Sequence, residues 1–114
     1  MRFMRNLLSW LKMNNHLLLG HLGLALRARK IISGEEQVLE SIRKQSAKIV
    51  FLANDAGVNT TKRITDKASF YHVQLVTALS GEELSRAIGK ENRKVLAVTD
   101  RHFVQMIQTA LQEL

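Results

Sequence analysis

Lys48-Ile49-Val50-Phe51-Leu52-Ala53 is a continuous apolar run, β-branched in its first half, that Asn54-Asp55-Ala56-Gly57 brings to a stop. A surface strand alternates polar and apolar residues, and a helix long enough to be stable needs more length than this. The run therefore reads as a strand buried on both faces. Lys94-Val95-Leu96-Ala97-Val98 has the same character and ends at Thr99-Asp100. Two such strands in one short chain require covering layers above and below.

Those layers are legible on either side of the runs. Leu18, Leu22, Ala25 and Leu26 recur at helical spacing ahead of Arg27-Ala28-Arg29-Lys30, and Ile31-Ile32 forms a short strand or connector. Ser33-Gly34-Glu35-Glu36 follows, and the same four residue types return as Ser80-Gly81-Glu82-Glu83. Each copy fits a capping box, in which the serine hydroxyl takes an amide of the first turn and the last glutamate reaches back to the serine amide. The first opens a helix with Val38, Leu39 and Ile42 on its apolar side, ended by Arg43-Lys44-Gln45-Ser46. The second opens a short helix through Ile88 that Gly89 stops in the left-handed conformation. Val58, Ile64, Ala68 and Tyr71 mark a middle helix and Val73 to Thr77 a further strand. Thr99-Asp100 caps a last helix carrying Phe103, Val104, Ile107, Ala110 and Leu111. Helices alternating with buried strands predict an α/β fold, a three-layer α/β/α sandwich around a small mixed, partly parallel sheet of about four strands.

With 114 residues, 46% of them hydrophobic, the chain closes one core and leaves no room for a second domain. Residues 1–12 read as an extension and 13–114 as the domain, with Met13 a plausible natural start. Beginning there removes Arg2, Arg5 and Lys12 and leaves the charge positive. The uncharged stretch from Met13 to Leu26 is shorter than the roughly 20 residues that span a bilayer, and Asn14, Asn15, His16 and His21 interrupt it. No membrane-spanning role is expected, although the basic, amphipathic N-terminal segment suits docking to a membrane surface or a protein. Cysteine is absent, which removes disulfides, thiolate chemistry and Cys-type zinc sites and fits a cytoplasmic setting.

Seventeen Lys and Arg against ten Asp and Glu give a formal charge of +7, the balance of a protein that meets polyanions. The cations gather where helices meet strands: Arg27, Arg29 and Lys30; Arg43, Lys44 and Lys48; Lys90, Arg93 and Lys94. Such groups are ordinarily solvated loop charge, but the topology can bring several to one edge. Aromatics are too few for a stacking platform, which favours structured RNA over single strands. The histidines lack ligand spacing, so no metal site and no cofactor are expected. An alternative is a small Mg²⁺-dependent phosphoryl-transfer enzyme using Asp55 and Asp100, each just past a buried strand. No phosphate loop, Walker pattern or nucleophile elbow accompanies them.

Three stretches together carry a resemblance: Leu22 to Lys30, Ile32 to Leu39, and Ala47 to Ala56, joined by Glu83-Leu84-Ser85-Arg86-Ala87-Ile88-Gly89. They look like the kink-turn RNA-binding ribosomal-protein superfamily, within it the bacterial YlxQ-like branch. The resemblance implies a non-enzymatic ribonucleoprotein component, ribosome- or translation-associated, with no small-molecule substrate. It places the family's Gly-x-Asn-Glu-x-x-Lys on Gly34, Glu36, Gln37 and Glu40, three of which depart from that pattern. It also sets Asn54 and Asp55 beside this loop, with Lys90, Glu91, Asn92 and Arg93 on the same RNA edge. Residues expected at RNA are thus Arg29, Lys30, Gly34, Glu35, Glu36, Gln37, Lys44, Asn54, Asp55, Lys90, Asn92 and Arg93.

Overall fold

The computed structural model describes residues 16–112, so the expectations for residues 1–12 and for a start at Met13 lie outside the described residues. Helix α1 covers residues 16–27. It is followed by β1 (Ile31–Ser33), α2 (Glu35–Arg43), β2 (Ile49–Leu52), α3 (Val58–Phe70), β3 (Gln74–Val76), α4 (Gly81–Ala87), β4 (Val95–Val98) and α5 (Arg101–Gln112). The strands form one sheet in the order β1-β4-β2-β3. Strand β4 runs antiparallel to both β1 and β2, and only β2 and β3 are parallel.

Both apolar runs are buried at every strand position, and alternation explains why each has to be apolar throughout. Ile49, Phe51, Leu96 and Val98 point to one face, where Leu18 and Leu22 of α1, Leu84 of α4, and Val104 and Ile107 of α5 cover them. Val50, Leu52, Val95 and Ala97 point to the other, under Val38 and Ile42 of α2 and Ile64 of α3. The architecture is the expected three-layer α/β/α sandwich with a mixed four-stranded sheet. Each large apolar side chain fully removed from water contributes about 1.5–3 kcal/mol, so β2 and β4 supply the centre of the core. The middle-helix reading needs one amendment. Val58 begins α3 but is 85% exposed, and the helix is held by Ile64 and Ala68.

The antiparallel pairing has a direct consequence for the two aspartates. Ile49 lies opposite Val98 and Leu52 opposite Val95, so the carboxyl ends of β2 and β4 are at opposite edges of the sheet. Asp55 and Asp100 therefore cannot converge on one ion, and the paired-carboxylate site of the enzyme alternative does not form. Asp100 Oδ1 instead accepts from the amides of His102 (2.8 Å) and Phe103 (3.4 Å), the expected cap of α5. Among the described residues no group of three or more His, Asp or Glu side chains is placed to hold a metal.

Candidate functional site

Antiparallel β4 divides the loops into two sets. One edge collects the end of β1, the start of β4, the end of β2 and the segment leading into α4. Main-chain bonds from Gly34 to the Val95 carbonyl (3.1 Å), from Ala53 to Lys94 (2.8 Å) and from Asn54 to Leu79 (2.9 Å) tie these segments together. This Gly34 edge holds Gly34, Glu35, Glu36, Gln37, Asn54, Asp55, Lys90, Asn92 and Arg93 of the residues expected at RNA. The remaining three are elsewhere. Arg29 and Lys30 enter β1 at the other edge, and Lys44 closes α2 at its far end. The junction cations therefore do not share one edge.

Gly34 is the centre of the first edge. It is the residue before α2, at φ 98° and ψ 147°, and no side chain caps the helix that follows. The capping box expected at the first Ser-Gly-Glu-Glu is absent. Ser33 is still the last residue of β1, paired with Leu96, so the strand holds its backbone and the chain turns into α2 at the glycine. The two glutamates face α3 instead. The Arg63 guanidinium forks between Glu35 (3.0 Å) and Glu36 (3.1 Å), and Thr60 donates to Glu35 at 3.3 Å. The first-turn amides of α2 thus lack a side-chain acceptor, while Arg63 offsets one of the two charges on the acids beside them.

Two side chains lie over the glycine. A β-carbon at position 34 would stand 2.6 Å from Gln37 Oε1 and 3.4 Å from a guanidinium nitrogen of Arg93. Arg93 is held from behind, where Ser85 Oγ accepts from its amide at 2.8 Å and donates to its carbonyl at 3.2 Å. Its Nε is buried without a hydrogen-bond partner among the described residues. The Ser85 hydroxyl thus latches the loop that carries Arg93. The expectation from the sequence missed this latch. A helical serine reaching a residue eight positions on leaves no local signature.

The second Ser-Gly-Glu-Glu does form the box. Ser80 Oγ accepts from the Glu83 amide (3.1 Å), and Glu83 Oε1 accepts from the Ser80 amide (3.0 Å). Asp55 adds to it, with Oδ1 accepting from the Gly81 amide at 2.8 Å and Oδ2 paired with Lys94 at 3.3 Å. The Gly81 amide holds the Asp55 carboxyl below its ordinary value; desolvation, next in size, opposes it, and the Lys94 ammonium adds to the lowering. Asn54 beside it is exposed, and Asn92 adopts a left-handed turn at φ 56° in the loop before Arg93. Glu40, on the lysine position of the resembled motif, pairs along its own helix with Arg43 and, at 3.4 Å, with Lys44.

This arrangement, a glycine-led helix start flanked by the loops after β2 and before β4, can be set against known proteins. The family model of the ribosomal protein L7Ae/L30e/S12e/Gadd45 family matches residues 18–107. The chain belongs to this family. Within the L7Ae/L30e/S12e/Gadd45 family it is 48% identical over 90 residues to RNA-binding protein YlxQ of Bacillus subtilis, covering 79% of this chain and 90% of that one. It is 43% identical over 91 residues to RNA-binding protein YlxQ of Enterococcus faecium, covering 80% and 87%. The expected bacterial branch is thereby borne out, and both relatives are named for binding rather than catalysis, which supports the non-enzymatic reading. Among solved structures, a Bacillus halodurans protein matches with TM-score 0.78 and 36% identity over 83% of this chain and 96% of that one. The Giardia lamblia 15.5kD RNA binding protein matches with TM-score 0.74 and 16% identity over 90% and 91%, a likeness of fold alone. No helix among the described residues is long and apolar enough to cross a membrane.

Proposed function

We propose that this protein binds structured RNA at the Gly34 edge, prefers a kinked duplex, and does so without catalysis in the cytoplasm, in association with ribosomes or translation. The observation that carries the reading is the uncapped start of α2. Its amides are open, Gln37 and Arg93 border the glycine, and Arg63 draws Glu35 and Glu36 towards α3 and offsets one of their two charges. The relatives' names supply the class of ligand. In this reading Gln37 and Asn54 present carboxamides to base edges, the α2 amides and Arg93 receive phosphate or guanine oxygens, and Lys90 sits at the rim.

The test is a fluorescence titration of the chain against a kink-turn RNA and an unkinked duplex of equal length, at several salt concentrations. The reading expects a preference for the kink that survives at physiological salt. Gln37→Ala is expected to lower that preference by about tenfold, the scale of one polar base contact. Arg93→Ala is expected to lose roughly one unit of salt slope if it meets one phosphate. Equal affinity for both RNAs at every salt concentration overturns the proposal.

A further inference from the structure

The family's edge carries surprisingly little uncompensated charge. Glu35 and Glu36 are tied to Arg63, Asp55 to Lys94, and Glu82 to Arg86 at 2.7 Å. Of the cations there, Lys90 and Arg93 form no ion pair among the described residues, and Glu91 stands beside them. Of the net charge of +7, Arg2, Arg5 and Lys12 lie outside the described residues, and most of the remaining excess sits away from this edge.

It is gathered at the opposite edge. The start of β1 brings Arg29 and Lys30, the start of β2 brings Lys48, and the end of β4 leads into Arg101. Their closeness is a matter of backbone bonding: the Thr99 amide donates to the Lys30 carbonyl at 3.0 Å and the Lys48 amide to the Val98 carbonyl at 2.8 Å. Arg27 at the end of α1 and Lys44 at the end of α2 flank them, and all six are exposed. Among the described residues only Lys44 is within ion-pair distance of an acid. Asp100, the one carboxylate between Lys30 and Arg101, is turned onto the amides of α5.

Cations at helix ends also answer the macrodipole, and Lys48 Nζ does donate to the Gln45 carbonyl at 3.2 Å. That accounts for Lys44 and Lys48. It does not account for Arg29, lifted out of α1 at φ 60°, for Lys30 in the connector, or for Arg101 at the start of α5, where a cation opposes the macrodipole.

Resting on the RNA-binding reading, we propose a second RNA site at the Lys30 edge, which takes the phosphate backbone of another duplex segment by charge and without sequence preference. The chain then stands between two RNA segments, the Gly34 edge selecting shape and the Lys30 edge supplying the salt-sensitive share of affinity.

The experiment compares the full chain with a variant carrying Arg29→Glu, Lys30→Glu and Lys48→Glu, and with a milder one carrying Gln at the same positions. Stoichiometry is measured with short duplex RNA at low salt, and the slope of log K against log salt with both RNAs. The expected result is two short duplexes per chain falling to one in the variants, a slope reduced by about two units, and an unchanged ratio of kinked to unkinked affinity. An unaltered slope and stoichiometry in a folded Gln variant overturn the inference and leave the Gly34 edge intact. A wild-type chain that shows no kink preference, with the slope still lost in the variants, overturns the reading of the Gly34 edge alone. Loss of binding to anionic phospholipid vesicles with RNA binding unchanged overturns the inference in favour of a membrane surface.

Discussion

The two Ser-Gly-Glu-Glu copies contain the same four residues and do opposite things. In the second, β3 ends at Val76, several residues before Ser80, so the serine is free to sit extended at φ −81° and ψ 165° and close a capping box. In the first, β4 pairs with β1 through Ser33, and the helix has to start one residue later, on a glycine that has no side chain to offer. In α4 the Gly81 and Glu83 amides are taken by Asp55 and Ser80, whereas no side chain caps α2. A single strand residue decides which copy closes a capping box and which leaves its helix start uncapped.

The sharpest way to break this contrast is at the glycines. Gly34→Ala places a β-carbon in a backbone region that is nearly glycine-only and against Gln37, and is expected to cost about 1–3 kcal/mol in denaturant unfolding. A β-carbon at Gly81 would meet only the flexible end of Lys94, at 2.5–2.9 Å, so Gly81→Ala is expected to stay within about 1 kcal/mol of the parent. Equal costs would mean that the two glycines hold the same conformation in solution.

The serines give the next largest difference. Ser80→Ala removes a helix cap and is expected to lower stability by about 1 kcal/mol, while Ser33→Ala is expected to change it by about 0.5 kcal/mol or less. Comparable losses in thermal melts would put a working cap back on the first copy.

The smallest effect belongs to Asp55, which serves only the second copy. Its carboxyl titrates below the ordinary range in the folded protein, chiefly because it accepts from the Gly81 amide. The stability it contributes is therefore complete above the ordinary carboxylate range and is lost as pH falls through the lowered value. Asp55→Asn is expected to flatten that acid limb in pH-resolved unfolding, by lowering stability slightly in the neutral range while leaving the acid end nearly unchanged. An unchanged acid limb would mean that the contact with Gly81 is not held in solution.

Much of the fold was legible because burial leaves a pattern in the chain. Ile49-Val50-Phe51-Leu52 and Val95-Leu96-Ala97-Val98 must be apolar on both sides once helices cover both faces, and helical spacing marked α1, α2 and α5. The stop at Gly89 (φ 64°) and the Asp100 cap were equally readable, since each depends on neighbours in sequence. Family membership was legible for a related reason, in the short stretches around Gly34, Ile49 and Ala87.

Sequence alone thus determined the elements, the two-sided core and the family, all of which follow from local spacing and residue type. Strand direction belongs to the tertiary structure. Pairing β4 against β1 and β2 sent Asp55 and Asp100 to opposite edges, parted Arg29, Lys30 and Lys44 from the Gly34 loop, and kept Ser33 in its strand. The Ser85 latch on Arg93 and the Arg63 fork onto Glu35 and Glu36 are likewise contacts between segments distant in the chain. Antiparallel order is set by the free energy of closing the whole sheet, which no short window of residues contains.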